Sequence, residues 1–385
     1  MPPRVVVIGA GPMGLAAALG AIERGCQTTV LEREDVGASL RKWGPTRFFT
    51  PLRMNLSSPM RAVVGDILPD DDELLTGPQF ADILGALSRR DPLRTRVRTN
   101  HSVRAVGRRG LTRGDYPNHP LRNERPFRLL VDSPAGEEVM EADVVFDASG
   151  GQTIARPFGA DGLPARGELA LNSSAIRTLG ELHARRSELS GKRILVVGHG
   201  HSAANALGSL EELARREPST RITWAVRTPN RRPCQDVAND PLAERQRVVE
   251  RANDLAESPP PFLTVERRAM IERVEQNGSL EVTLTGGRRQ DFDVIAAFTG
   301  FRPDASHISE LTVETSPVSE GGARLHRAIS NVTDCLAVPH VAPQDLESGE
   351  PNYYFIGSRS YGRVRTFLLQ TGFQHLDTIL ESLSK

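Results

Sequence analysis

The sequence carries the same local pattern twice: a strand, a glycine-rich turn, a helix and a second strand. The first copy spans Arg4–Glu32 and the second spans Lys192–Arg227. In each copy the turn follows a run of four apolar residues, which is typical of a strand buried on both faces of a parallel sheet. Apolar residues at helical spacing come after the turn. The repetition predicts an α/β protein with two Rossmann-like dinucleotide-binding domains.

The first glycine turn has the spacing GxGxxG, in which each glycine has its own physical reason. The first permits a tight turn, the second lets a pyrophosphate approach the backbone, and the third lets the helix pack closely on the strand. Glu32 ends the next strand, where a carboxylate accepts hydrogen bonds from ribose hydroxyls. The strand, helix and acid together favour a dinucleotide site over a purely structural turn. Its predicted contacts are Gly9, Gly11, Pro12, Met13 and Gly14.

The second glycine turn differs in the residues that follow it. Ala203 takes the third glycine position, which the pattern tolerates. The next strand ends in Arg227 instead of a carboxylate, and Arg231 follows. Guanidinium groups pair with a 2′-phosphate that a carboxylate would repel, so this site is predicted to prefer NADP. Solvated surface arginines are the alternative. The predicted contacts in the turn itself are Gly198, Gly200, His201, Ser202 and Ala203.

Composition argues against several other functions. The 48 Lys and Arg cancel the 48 Asp and Glu, so we expect no nucleic-acid or membrane partner. No apolar run approaches the ~18 residues of a membrane span, and a strand-like run from Arg4 leads us to expect no signal peptide. Cys26, Cys234 and Cys335 lie far apart, which excludes a CxxC pair and favours a reducing, cytoplasmic location. We expect no metal, because the histidines of the second turn lack further ligands nearby.

Further stretches resemble a known class of enzymes. Phe146–Gly150 and Ala297–Asp304 are similar to the hinge stretches of the two-dinucleotide-binding-domain flavoproteins, the second of them to that of flavin-containing monooxygenases and thioredoxin-reductase-like enzymes. Tyr353–Gly372 is similar to their last FAD-binding motif. A closer likeness, to bacterial flavin-monooxygenase-like FAD-dependent oxidoreductases, rests on Trp43–Pro51, Gly198–Asn205 and Ser360–Gly372.

The resemblance implies a domain organisation and two cofactors, FAD and NADPH. Residues 1–175 and 292–385 would form an FAD domain, and residues 176–291 an inserted NADP-binding domain. Gly300 is expected to contact NADP. Trp43 would shield the flavin, with a place in the core as the equal alternative. The further residues expected to contact FAD are Arg33, Trp43, Ser149, Gly150, Gly357, Arg365 and Thr366.

Two departures from the family pattern bear on the reaction. Ser358 follows Gly357 where the family commonly has an aspartate that binds FAD. The class B monooxygenase fingerprint FxGxxxHxxx(Y/F/W) is absent, since no histidine follows Phe158–Gly159 at the required spacing. A simple assignment to the class B monooxygenases is therefore weakened.

The expected reaction is hydride transfer from NADPH to FAD, followed by oxygenation of a small-molecule substrate with O2. Arg47, Asn55 and the pair Phe48–Phe49 are expected to line the substrate pocket. We predict a last helix over Val364–Leu383, whose N-terminus would stabilise negative charge on the reduced flavin. Arg363 and Arg365 would add positive charge there.

Other outcomes stay open at this point. The acceptor in a reductase would be a disulfide, quinone, imine or C=C bond, and Cys335 with His340 is the thiol–imidazole pair close in sequence. A nucleotide-binding sensor without turnover is a third hypothesis. The oligomeric state is open, a homodimer included. The candidate catalytic residues are Arg47, Asn55, Arg363 and Cys335.

Overall fold

The computed structural model describes residues 1–117, 119–171 and 174–383, and the elements below lie within them. The strands are β1 (Arg4–Ile8), β2 (Gln27–Leu31), β3 (Val97–Arg98), β4 (Ser102–Arg108), β5 (Phe127–Ser133), β6 (Gly136–Ala142), β7 (Val144–Asp147), β8 (Ile154–Ala155), β9 (Arg193–Val197), β10 (Arg221–Val226), β11 (Leu263–Arg267), β12 (Ile271–Asn277), β13 (Ser279–Leu284), β14 (Arg288–Phe292), β15 (Val294–Ala297), β16 (Phe301–Arg302) and β17 (Tyr353–Phe355).

The α-helices of the same residues include the two that follow the glycine turns, α1 and α7. In chain order they are α1 (Pro12–Glu23), α2 (Ala38–Arg41), α3 (Ser58–Val64), α4 (Gly77–Ser88), α5 (Leu121–Glu124), α6 (Leu179–Ala184), α7 (His201–Arg216), α8 (Ala243–Glu257), α9 (Ala323–Ile329), α10 (Ser358–Tyr361) and α11 (Leu369–Leu383). No helix of the described residues is long and apolar enough to cross a membrane.

The first parallel sheet has the order β17-β7-β1-β2-β3. Its central strand β1 is apolar from Val5 to Ile8 because its two faces meet different cores. Val5 and Val7 pack in the cluster that contains α1 and α11. Val6 and Ile8 pack in the cluster that contains the antiparallel sheet β4-β5-β6. The continuous apolar run therefore reflects the burial of β1 on both faces of the sheet, as predicted.

The second parallel sheet, β11-β10-β9-β15, is built in the same way. Ile194 and Val196 of β9 face the cluster that contains α7 and α8. Leu195 and Val197 face the cluster that contains the antiparallel sheet β12-β13-β14. Each half of the molecule is thus a parallel sheet with helices on one face and a three-stranded sheet on the other. The predicted α/β fold with two Rossmann-like domains is confirmed.

Each half also has an ion pair between an arginine and an aspartate at the start of its central strand. The Asp143 carboxylate accepts hydrogen bonds from the backbone N–H of Arg4, at 2.8 Å, and from its guanidinium. The Asp293 carboxylate does the same for Arg193, again with a backbone distance of 2.8 Å. In both places the aspartate separates an antiparallel strand from the parallel strand that follows. Residues 139–146 are therefore divided between two strands, β6 and β7.

The chain crosses between the halves at a short antiparallel pair, β8 and β16. Phe158, Ala165, Leu171 and Ala175 pack in the core of the second half, and β15 pairs with β9. The boundaries at residues 175 and 292 stay a prediction, and these contacts favour a larger second domain. We propose instead that residues 156–300 form the second domain.

Candidate functional site

Both glycine turns require glycine at their first position. Gly9 has a φ of +100°, and a Cβ there would lie 2.7 Å from the carbonyl oxygen of Ala148. Gly198 has a φ of +111°, and its Cβ would lie 2.5 Å from the carbonyl oxygen of Phe298. Side chains other than glycine are strained at such φ values, and neither oxygen can move freely because it belongs to backbone. The two turns are therefore matched in backbone geometry.

The other two glycines of the first turn serve different ends. A Cβ on Gly14 would lie 1.9 Å from the carbonyl oxygen of Gly9, so a side chain there would push α1 away from β1. A Cβ on Gly11 would meet no protein atom within 4 Å, and its φ of −76° suits any residue. Protein packing thus explains Gly14 but not Gly11. A phosphate group close to the backbone at Gly11 explains both the glycine and the open space.

Glu32 lies beside the first turn and is held there by the backbone. Its carboxylate accepts hydrogen bonds from the N–H of Ala10, at 2.7 Å, and from the N–H of Glu34, at 2.9 Å. Each oxygen keeps a lone pair for a further donor. Arg33 lies 3.5 Å from the Glu34 carboxylate and is exposed. The carboxylate of Glu32 is therefore fixed where the sequence pattern expects a ribose acceptor.

Ser358 occupies the position where the resemblance leads us to expect aspartate. Its hydroxyl oxygen accepts a hydrogen bond from the N–H of Gly151 at 3.1 Å, which ties the loop after β7 to α10. Gly150 and Gly357 both have positive φ, of +88° and +63°. The nearby hydroxyl of Ser149 is buried and has no hydrogen-bond partner within residues 1–117, 119–171 and 174–383.

A buried charge network lies beneath this loop, and sequence reasoning missed its members. The Asp147 carboxylate is fully buried and accepts hydrogen bonds from the Tyr353 hydroxyl at 3.1 Å and the Arg359 Nε at 3.2 Å. The Nε2 of His307 lies 3.2 Å from the same oxygen. Burial acts to raise the pKa of Asp147, but His307 and Arg359 outweigh it, and the net pKa lies below that of an ordinary aspartate.

The aromatic residues near Trp43 divide between core and cleft. Phe48 is buried and lies 4.8 Å from the Trp43 ring and 5.3 Å from the Phe80 ring. Trp43 packs against the core of the first domain, which supports the core alternative for this residue. Phe49 instead meets His201 of the second turn edge-on at 5.1 Å. Phe49 is therefore the member of the group that reaches the other domain.

Two of the candidate catalytic residues, Asn55 and Arg47, differ in whether their side chains can reach a substrate. Asn55 is buried, and its amide is occupied by Thr50, whose hydroxyl donates to it at 2.8 Å and whose carbonyl accepts from it at 3.1 Å. We therefore propose a structural role for Asn55 in place of the predicted catalytic one. Arg47 lines a cavity of about 460 Å³ between the domains, together with His183 and Asn205.

The last helix begins later than we predicted, at Leu369 instead of Val364. Arg363 precedes the helix and pairs with Glu320 at 2.7 Å, so it does not lie in the first helical turn. Arg365 lies at the second glycine turn instead. Its Nη1 would be 3.4 Å from a Cβ on Gly200. The prediction that Val364–Thr366 forms the helix start is therefore wrong. Thr366 is buried, and its hydroxyl has no partner among the described residues.

Cys335 has a different partner from the one suggested by the sequence. Its Sγ lies 3.0 Å from the Nη1 of Arg245, whereas His340 acts on the pKa of His375. Burial raises the pKa of the Cys335 thiol, although Arg245 acts in the opposite direction. A raised pKa leaves little thiolate at neutral pH, so the site does not activate this cysteine as a nucleophile.

Positive charge near the second turn comes from arginines outside the turn. His201 is solvent-accessible in the cleft although protein surrounds it, and burial together with Arg245 and Arg365 lowers its pKa. Arg227 is exposed just after β10. Arg231 lies 3.9 Å from Glu257, which gives it a carboxylate partner. Ser202 and Ala203 lie in the first turn of α7, and Gly300 has a φ of +86° at the crossing.

The sequence and the fold can now be compared with those of known proteins. Residues 6–112 match the model of a family described as pyridine nucleotide-disulphide oxidoreductase. Bacillithiol disulfide reductase from Bacillus cereus has a TM-score of 0.69 at 17% identity, over 100% of this chain and 99% of that chain. T. acidophilum thioredoxin reductase has a TM-score of 0.60 at 15% identity, over 99% and 98%. The Kutzneria sp. 744 ornithine N-hydroxylase, solved with reduced FAD, NADP+ and L-ornithine, has a TM-score of 0.64 at 15% identity, over 100% of both chains.

The chain has the fold of the two-domain FAD- and NAD(P)-dependent oxidoreductases. The resemblance predicted from the sequence is thereby confirmed. No curated protein matches the sequence. The structures that share the fold include disulfide reductases as well as a monooxygenase, so this fold is compatible with either kind of acceptor.

Proposed function

We propose that the protein is an FAD-dependent oxidoreductase that takes hydride from NADPH and uses O2 to oxygenate a small-molecule substrate. The observation that carries the proposal is the pair of matched glycine turns, each at the end of a parallel sheet, with Phe49 and Arg365 of the first domain against the second turn. The family match of residues 6–112 supports the oxidoreductase class. FAD, when bound, supplies the hydride acceptor and the reactivity toward O2.

The chain's own residues have separate roles in this proposal. The first turn and Glu32 hold FAD, and Ser149 donates to it. The second turn holds NADPH, and Arg227 pairs with the 2′-phosphate. Arg47 lies in the interdomain cavity of about 460 Å³, where it would bind a negatively charged part of the substrate.

The test is anaerobic mixing of the purified, FAD-loaded protein with NADPH, followed by addition of O2. We expect NADPH to bleach the flavin absorbance and a suitable substrate to appear as an oxygenated product, with little hydrogen peroxide. Candidate amines, thioethers and ketones would be compared. A flavin that NADPH does not reduce would overturn the proposal. Reduction followed by electron transfer to a disulfide or quinone, with no oxygenated product from any candidate, would establish the reductase instead.

Arg227→Ala is expected to raise the KM for NADPH by about ten- to a hundredfold, since a charge-assisted hydrogen bond contributes ~1.5–3 kcal/mol. The KM for NADH, which has no 2′-phosphate, should change little. Steady-state kinetics with both nucleotides measure the effect. Arg221→Ala is the matched control, because Arg221 is exposed at the opposite end of the same strand, β10. Equal changes with NADPH and NADH would contradict the role of Arg227.

Cys335→Ser is expected to leave turnover within about twofold of the wild type, because burial raises the pKa of this thiol and a thiol nucleophile needs a low one. The rate of NADPH oxidation with each acceptor measures this. Cys26→Ser is the control for the general effect of removing a sulfur, since Cys26 is a partly buried residue packed against the core. A large loss of turnover with a disulfide acceptor in Cys335→Ser alone would support a single-thiol reductase.

A further inference from the structure

Three arginines converge near the second glycine turn without a carboxylate partner. They are Arg156, Arg227 and Arg365, called here the arginine cluster. Within residues 1–117, 119–171 and 174–383 none of the three forms an ion pair with Asp or Glu. By contrast, the nearby Arg363 is paired with Glu320 at 2.7 Å. Like charges gathered in this way repel one another, and an anion between them relieves the repulsion.

The members of the cluster come from both domains. Arg227 follows β10 of the second domain, and Arg365 lies between α10 and α11 of the first. Arg156 is at the crossing itself, where its backbone N–H donates to the carbonyl of Gly300 at 2.9 Å. Burial lowers the pKa of Arg156, and the charges of Arg363, Arg365 and Arg227 lower it further. Glu320 acts in the opposite direction. The cluster therefore spans the cleft.

Arg365 has the most defined position of the three. Its Nη1 would lie 3.4 Å, and its Cζ 3.8 Å, from a Cβ on Gly200. Gly200 is the N-cap residue of α7, a helix of 16 residues whose first N–H groups point out of the turn. A phosphate bound to those N–H groups would lie within reach of the guanidinium.

We propose that Arg365, a residue of the first domain, binds the pyrophosphate of the nicotinamide nucleotide held by the second domain. This inference rests on the proposed function and gives it a cross-domain contact. Arg227 recognises the 2′-phosphate, which distinguishes NADP from NAD. Arg365 recognises the pyrophosphate, which both nucleotides share. Arg365 thus acts as a nucleotide-positioning residue in this proposal, whereas the family resemblance led us to expect an FAD contact.

The test uses binding, measured by isothermal titration of the FAD-loaded protein with NADP+ and with NAD+. Arg365→Ala should weaken both by the same factor, about ten- to a hundredfold. Arg227→Ala should weaken NADP+ alone. Arg365→Lys, which keeps the charge but loses the bidentate geometry, should fall between Arg365→Ala and the wild type. Arg128→Ala is the control, because Arg128 is an exposed residue of the first domain.

The FAD content of each variant is measured from its absorbance in the same samples. Normal affinity for both nucleotides in Arg365→Ala would overturn the inference, and so would loss of FAD from that variant with normal nucleotide binding. Failure of the wild type to bind either nucleotide would overturn the proposed function as well. If the wild type binds NADP+ and Arg365→Ala binds it equally well, the inference about Arg365 is overturned but the proposed function is not.

Discussion

Gly11→Ala is expected to weaken FAD binding by about ten- to a hundredfold without unfolding the protein. A Cβ on Gly11 meets no protein atom within 4 Å, so the alanine methyl would project toward the place where the pyrophosphate lies. Overpacking of this kind typically costs ~1–3 kcal/mol, which converts to that loss of affinity. Titration of the apoprotein with FAD, followed by flavin fluorescence, gives the dissociation constant.

Gly14→Ala is the matched comparison, since it adds the same methyl group three residues later. There the Cβ would lie 1.9 Å from the carbonyl oxygen of Gly9, so α1 must shift. We expect this variant to lose both FAD binding and stability of the apoprotein, as measured by urea denaturation, whereas Gly11→Ala should lose less than about 1 kcal/mol of stability. Unchanged FAD affinity in Gly11→Ala would remove the first turn from the FAD site.

Asp147→Asn is expected to lower the free energy of unfolding by about 3–5 kcal/mol. The side chain keeps its shape, but the buried Arg359 loses its counter-charge, and breaking a buried ion pair has an effect of this size. Arg359 is fully buried, and its Nη2 already lacks a partner among the described residues. Urea denaturation at constant FAD concentration measures the change.

The pH dependence of this effect follows from the pKa of Asp147. Its pKa in the folded protein is depressed below the ~3.9 of an unfolded aspartate. The stabilisation is therefore present above about pH 4 and is lost as the pH falls further. The difference between wild type and Asp147→Asn should be greatest near neutral pH and should shrink in acid.

Asp82→Asn is the control for the loss of a carboxylate from an ion pair. Asp82 pairs with Arg41 at 2.8 Å, but both side chains are largely exposed, so we expect a change under about 1 kcal/mol. If Asp147→Asn were no more destabilising than Asp82→Asn, the network around Asp147 would not hold the loop after β7 in place.

The parts of the fold that could be predicted from sequence are those with local causes. Gly9 and Gly198 were predictable because the backbone at each turn adopts a φ that glycine tolerates best. The apolar runs of β1 and β9 were predictable because a strand buried on both faces has no polar side. The positions of Glu32 and Arg227 were predictable because each residue directly follows the second strand of its glycine-turn pattern. Each depends on a few residues that are adjacent in the chain.

The predictions for which we propose a different outcome concern contacts between distant residues. β15 was assigned to the first domain because no local pattern reveals that it pairs with β9, about 100 residues earlier. Arg365 was expected to contact FAD because the family resemblance implied it, whereas its approach to Gly200 depends on how the domains pack. The partners of Asn55 and Cys335 likewise come from tertiary structure, which short motifs do not encode.

The antiparallel pair of β8 and β16 bears on how such a molecule could arise. Ala155 and Phe301 are register partners, so their Cα atoms are about 5 Å apart. The second domain is thus joined to the first at one place. A short turn joining Ala155 to Phe301 would leave the strands of the first parallel sheet where they are, because β8 and β16 form a separate two-stranded sheet. Since closely spaced ends are what a host fold needs to accept a guest, a whole nucleotide-binding module could be gained or exchanged here in a single genetic event.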